Sequence, residues 1–256
     1  MKTRKTTFRS LIMGAVCFAV AGSLAAAEPL PPPAIGETWG CTYKDGKDFD
    51  DKMKARDYMV DQLEKAGVTK VAAYHMTQIK GMAPVDTLWM DVHPNLEAFG
   101  VNSTAYAASG IGPAVQARFD AVEDCTAGLS TLQAIHQQES DDEDDGPNLV
   151  VTLACGYLHG KGPDHVPDLV RHMGGVMSGM GADAPGFSYL RTPITGNQNF
   201  PDLFFSSVFD DMAHWTRYVA KLFGTDPGQT MLNHMDMVVD CNISMWRSEQ
   251  VVTADE

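Results

Sequence analysis

The chain has 256 residues, with 33 acidic against 19 basic side chains, 44% hydrophobic residues and five cysteines. That length can bury one large core or two cores of about 100 residues each. A formal net charge of -14 argues against a nucleic-acid partner and against docking on anionic lipid, since both need a basic face.

Residues 1–27 place Lys2, Arg4, Lys5 and Arg9 ahead of an apolar run from Leu11 to Leu24, followed by Ala25, Ala26 and Ala27. A basic start, an apolar middle and a small-residue end are the order of a secretory signal. Cleavage is expected after Ala27, giving a periplasmic or secreted protein. The run is short for a span of about 20 residues, so no stable membrane insertion is expected. Removing it takes four basic residues and Cys17, which leaves 15 basic against 33 acidic side chains. The remaining Cys41, Cys125, Cys155 and Cys241 are an even set, which in an exported protein points to disulfides.

A Pro-rich segment, 28–37, leads into a first unit spanning 38–135. Thr38–Tyr43 is short and strand-like. Asp48 can cap a helix in which Phe49, Met53, Val60 and Leu63 recur at helical spacing, with Gly67 as its stop. Val71–Gln78 and Thr87–His93 read as strands, separated by Gly81 and Pro84. A second helix starts near Asn95 and carries Leu96 and Phe99, and Ala121–Leu129 is a last strand. Residues 136–147 are a linker, with six acids and no apolar residue from Gln137 to Gly146. A second unit, 148–250, repeats the order, with helices near Asp164–Met180 and Asp211–Phe223.

The two units are copies of one another. Gly40-Cys41-Thr42-Tyr43 through Gly46-Lys47 matches Ala154-Cys155-Gly156-Tyr157 through Gly160-Lys161 at an offset of 114. Met59 falls on Met173 at that offset, and Tyr74 on Tyr189 at 115. At 116, Asp86, Phe99, Gly112, Asp124 and Cys125 meet Asp202, Trp215, Gly228, Asp240 and Cys241. A duplication is the simplest account, with one fold used twice.

Strand, helix, strand, strand, helix, strand is the ferredoxin-like βαββαβ order, an α+β class. Its sheet order sets the first and last strands side by side. Of the three possible pairings, Cys41–Cys125 and Cys155–Cys241 are therefore predicted. Two such units in one exported chain resemble the dimeric α+β barrel superfamily. The resemblance rests on element order, duplication and the aromatic pair Phe99 and Trp215. It implies two sheets enclosing a cavity, helices outside, and either a monomer with an internal pseudo-dimer or a homodimer. The superfamily includes cofactor-free monooxygenases, haem-using enzymes, isomerases and binding proteins, and fold analogy does not choose among them.

Strand alternation divides the faces. Trp39, Cys41 and Tyr43 share a side with Cys125, Ala127 and Leu129, and are expected under the helices. The opposite side carries Asp124 and Asp240. On the third strand Leu88, Met90 and Val92 form the apolar face, which leaves Trp89, Asp91 and His93 for the cavity. Tyr74, His75, Tyr189 and Arg191 on the second strands are further ligand-binding candidates. His93 with the carboxylate of Asp91 has the makings of a general base and its orienter, and His93 could instead hold a haem or metal. The plainer reading is a strand end entering a capped helix. Asp124 and Asp240, being repeated, are explained equally by hydrogen bonds to nearby backbone.

Met173, Met177 and Met180 beside His172, and Met231, Met235 and Met237 around His234, could bind copper. The i, i+4, i+7 spacing of the first three also marks a helix's core stripe. The primary expectation is a small organic ligand bound in a cavity between the halves, without a cofactor. A cofactor-free monooxygenase or isomerase, and a haem or copper protein, are the alternatives.

Overall fold

The computed structural model describes residues 33–81, 83–138, 148–195 and 200–255. The expected signal (1–27), the first part of the Pro-rich segment and most of the acidic linker lie outside the described residues.

The first half runs β1 (Ala34–Tyr43), α1 (Phe49–Ala66), β2 (Ala72–Gly81), β3 (Thr87–His93), α2 (Leu96–Ser109), α3 (Gly112–Asp120) and β4 (Glu123–Gln137). The second runs β5 (Asn148–Tyr157), α4 (Val166–Ser178), β6 (Phe187–Pro193), β7 (Leu203–Phe209), α5 (Met212–Gly224), α6 (Asp226–Asp236) and β8 (Val239–Val252). Local chemistry sets the helix ends. Asp48 accepts from the Asp51 amide at 3.1 Å, and Gly67 (φ 64°) closes α1 by returning its N–H to Leu63 and Glu64 carbonyls. Asn95 and Asp211 cap α2 and α5 in the same way.

Two helices escape the sequence reading, α3 and α6. Both are short, and α3 starts without a side-chain cap. The outer strands are also longer than periodicity suggests, with β1 taking in part of the Pro-rich segment and β4 reaching into the linker boundary.

Each half pairs its strands in the ferredoxin-like manner, β4-β1-β3-β2 and β8-β5-β7-β6. In addition, β2 pairs with β8 and β4 with β6, so the sheets join into one closed eight-stranded barrel. The halves therefore close on each other within a single chain. Cys41 lies directly opposite Cys125, and Cys155 opposite Cys241. Both bridges form as expected, each with its Cα atoms 4.1 Å apart.

The barrel interior is occupied by Met76, Met90, Val150, Tyr189 and Trp246. A second core lies between the second half's sheet and its helices, where Leu169, Met173, Met177, Leu203, Phe205 and Phe209 are all 3% exposed or less. Burying each such side chain contributes about 1.5–3 kcal/mol. Met231 and Met235 belong to the same core, which accounts for the thioethers as packing. His172 and His234 meet beside it, Nδ1 to Nδ1 at 3.1 Å.

Candidate functional site

The strand register decides which side chains meet. Glu37 stands opposite Asp91, Trp39 opposite Trp89, and Ile35 opposite His93 across β1 and β3. Trp89, Asp91 and His93 therefore share the side of Cys41, under the helices. Only Leu88, Met90 and Val92 face into the barrel. This corrects the face expected for the third strand. The barrel interior is itself a buried core, so the more apolar parity of β3 turns inward and the polar parity meets the helices. Apolarity cannot assign faces when both are covered.

Beneath α1, α2 and α3 the first half holds a cavity of about 430 Å³. Glu37, Trp39, Trp89, Asp91 and His93 line its sheet side, and Asn102, Tyr106 and Phe119 line its helix side. This cavity belongs to the first half, whereas the sequence places a ligand cavity between the halves. Only Val252 of β8 reaches it from the second.

The cavity exists because of what α2 lacks. No residue of α2 is buried. Where α5 brings Tyr218, Val219 and Leu222 onto its sheet, α2 offers Asn102, Ser103 and Tyr106 at the same offset of 116. The same comparison runs through much of the layer, although Asp91 falls on Ser207 and Ala73 on the buried Ser188. Register equates Glu37 with Val151, His75 with Leu190 and Thr87 with Leu203. It likewise equates Trp89 with Phe205, His93 with Phe209 and Glu123 with Val239. At the offset that aligns Met59 with Met173, Lys52 meets Val166. A layer that is mostly apolar core in one copy, with Ser188 and Ser207 paired at 2.8 Å, is largely polar and hollow in the other.

Its electrostatics follow from burial. The Trp89 indole donates to Asp91 Oδ1 at 2.7 Å. Desolvation nonetheless pushes the Asp91 carboxyl up to about 7, with Glu37 adding repulsion against the indole's opposing pull. Glu37 is raised by burial as well. His93 is 3% exposed, stands edge-on to Phe99 at 5.2 Å, and neither ring nitrogen has a partner among the described residues. Burial lowers its pKa, so the imidazole is neutral near pH 7. Deeper, Lys52 Nζ meets Glu123 Oε2 at 2.8 Å and donates to Thr87 Oγ1 at 3.2 Å. His75 lies nearby, wholly buried, with its pKa lowered to about 3 by desolvation and by Lys52.

The remaining candidates sit elsewhere. Tyr74, Tyr189 and Arg191 point into the barrel, where the Arg191 guanidinium lies 4.0 Å over the Phe204 ring and donates to Thr38 Oγ1 at 3.2 Å. Asp124 is exposed at a strand end and pairs with Lys44 at 3.2 Å. Asp240 is exposed at the equivalent place. Neither reaches the cavity. Glu37, Trp39, Lys52, Asn102, Tyr106 and Glu123 were not singled out by motif. The duplicate alignment marks several of them, because each sits opposite an apolar residue in the other copy.

No protein family and no curated protein sequence matches the chain. Solved structures do. A candidate monooxygenase from Fusobacterium nucleatum superposes with a TM-score of 0.55 at 10% identity, over 86% of this chain and 95% of that one. A second, from Lactobacillus acidophilus, gives 0.53 at 11% identity over 88% and 100%. The fold is a dimeric α+β barrel with both halves in one chain. An anthrone oxidase-like protein also shares it, with a TM-score of 0.51 at 12% identity over 86% and 94% of the two chains. At such identities the likeness is one of fold.

Within this dimeric α+β barrel, the cavity does not fit a haem. Its lining holds Glu37, Asp91, Asp120 and Glu123 but no lysine or arginine to receive propionates. A metal fares no better there. The one group of three candidate ligands among the described residues is Cys41, Glu123 and Cys125, and its sulfurs are joined to each other.

Proposed function

We propose that the protein binds a small organic molecule in the cavity of its first half, and does so after export. One observation carries the reading. Duplication supplies an internal control, and the copy that lacks the cavity fills most of the same layer with apolar side chains, among them Val151, Phe205, Phe209, Tyr218 and Leu222. The ring nitrogens of His93 and Oδ1 of Asn102, buried without partners among the described residues beside the half-buried Glu37 and Asp91, are costly to maintain for stability alone. The volume and mixed lining are those of a small-molecule site. Two disulfides are consistent with an oxidising compartment. No described helix is long and apolar enough to cross a membrane.

The test uses the chain's own second copy. Asn102→Tyr restores the residue found at position 218 and fills the cavity. Protein from the exported fraction, examined by native mass spectrometry and by quenching of Trp39 and Trp89 fluorescence, is expected to hold a ligand that the variant does not. Binding of equal strength in Asn102→Tyr would place the ligand elsewhere.

A second reading, cofactor-free oxygenase or isomerase chemistry, is favoured by Asp91. A carboxyl poised at about 7 beside a cavity is suited to taking a proton from a bound substrate. His93→Ala should then spare binding and slow turnover, whereas in a pure binding protein it changes affinity alone. Some proteins of this fold are described as candidate monooxygenases. Fold likeness alone does not transfer a reaction.

A further inference from the structure

We propose that the ligand of this cavity is an organic cation, a protonated amine carried on a ring of modest size. The inference rests on the cavity being the binding site and adds the charge and shape of what it holds.

The lining is one-sided in charge. Glu37 and Asp91 stand side by side on β1 and β3, with Asp120 from α3 and Glu123 from β4. No lysine or arginine lines the cavity, and Lys52 behind it is engaged by Glu123 at 2.8 Å. Two carboxylates brought together under helices repel each other and lose hydration. A positive charge between them relieves both costs.

The uncharged polar groups agree. Asn102 Oδ1 is buried without a partner among the described residues and can only accept. The neutral His93 ring, 3% exposed, has an unused lone pair. Both can accept from an ammonium with several N–H donors; the neutral His93 also keeps an N–H donor, so it is the two carboxylates that disfavour a carboxylate or phosphate.

The walls supply the rest. Trp39, Trp89, Tyr106 and Phe119 contribute aromatic rings to the lining. Aromatic rings attract a desolvated cation and pack on a flat apolar body. Met59, Leu63 and Val115 complete an apolar end. About 430 Å³ accommodates one or two fused rings with a short side chain.

Three probes of one shape and three charges test this at pH 8: tryptamine, tryptophol and indole-3-acetate. Isothermal titration of the intact, disulfide-bonded protein should show tryptamine binding at least ten-fold more tightly than tryptophol, with indole-3-acetate weakest. Glu37→Gln and Asp91→Asn should each shrink the tryptamine preference while leaving tryptophol affinity within two-fold. Equal affinity for tryptophol and tryptamine, or a preference for indole-3-acetate, overturns the inference and leaves the cavity reading intact. Failure of all three to bind, or binding untouched by Asn102→Tyr, overturns the cavity reading with it. The wild-type comparison stands even where a variant fails to fold.

Discussion

Lys52 and Glu123 form an ion pair at 2.8 Å with side chains 0% and 3% exposed. The corresponding layer of the second half is closed by Val166 and Val239. Burial lowers the pKa of Lys52 and raises that of Glu123, and each partner's charge opposes the shift of the other. The pair holds together because neither charge has anywhere else to go.

Breaking it from one side should therefore be severe. Lys52→Met or Glu123→Gln leaves an uncompensated buried charge and is expected to cost about 3–5 kcal/mol. The double change Lys52→Val with Glu123→Val copies the second half and should recover most of that loss. Urea unfolding of the four proteins measures the coupling. Additive losses in the double variant would show that the pair does not act as a unit.

Asp91 should contribute stability that is lost as pH rises toward neutral. The Asp91 carboxyl is raised to about 7 in the folded protein, so between its unfolded value near 4 and 7 the native state holds a proton that the unfolded chain has lost. This contribution to native stability then declines with pH across that window and flattens above it. Glu37, also raised, adds in the same sense. Asp91→Asn should flatten the profile between pH 5 and pH 8, read from thermal unfolding at fixed ionic strength. The wild-type slope alone does not decide, because His75, lowered to about 3, shifts stability in the opposite sense between about pH 3 and 6.5; equal pH slopes for wild type and Asp91→Asn would contradict the assignment.

The two disulfides should differ in lability. Cys125 is exposed at the strand end, whereas Cys155 is 0% exposed and Cys241 half-buried. A thiolate in solution reaches the Cys41–Cys125 bridge more readily. Under mild reductant without denaturant, alkylation mapping should find Cys41 and Cys125 modified first. Complete loss of either bridge, each spanning more than 80 residues, should cost about 2–5 kcal/mol.

Gly228 and Gly112 occupy equivalent positions, and their responses should diverge. A Cβ at Gly228 would lie 2.0 Å from the Leu222 carbonyl oxygen, where only backbone movement relieves the clash. At Gly112 the nearest atom is a Tyr106 ring carbon at 3.3 Å, and that ring borders the cavity and can yield. Gly228→Ala should cost about 3 kcal/mol or more, and Gly112→Ala about 1 kcal/mol or less. Thermal unfolding of both variants makes the comparison.

Element order, the duplication and the cysteine pairing were legible in the sequence because each leaves a local or repeated mark. Asp48 and Asn95 announce helices, and Cys41 and Cys155 recur with their neighbours. The face of β3 was not legible, since Met90 and Trp89 are both buried and hydrophobicity ranks them without saying against what. Nor was Arg191 separable from His75, because the second strands carry polar groups on both parities. Lys52 looked like one more lysine on a charged helix. Its meaning appears only against Val166, so the fuller use of the alignment was to ask where the copies disagree.

The closure of the barrel has a consequence for the halves as separate pieces. Strands β2 and β4 of the first half each find their second partner in β8 and β6 of the second. Expressed alone, either half would present two bare strand edges with unspent amide and carbonyl groups, an invitation to self-association. Each half is thus the chaperone of the other. The copy with the apolar core gives the hollow one a scaffold it could not supply for itself.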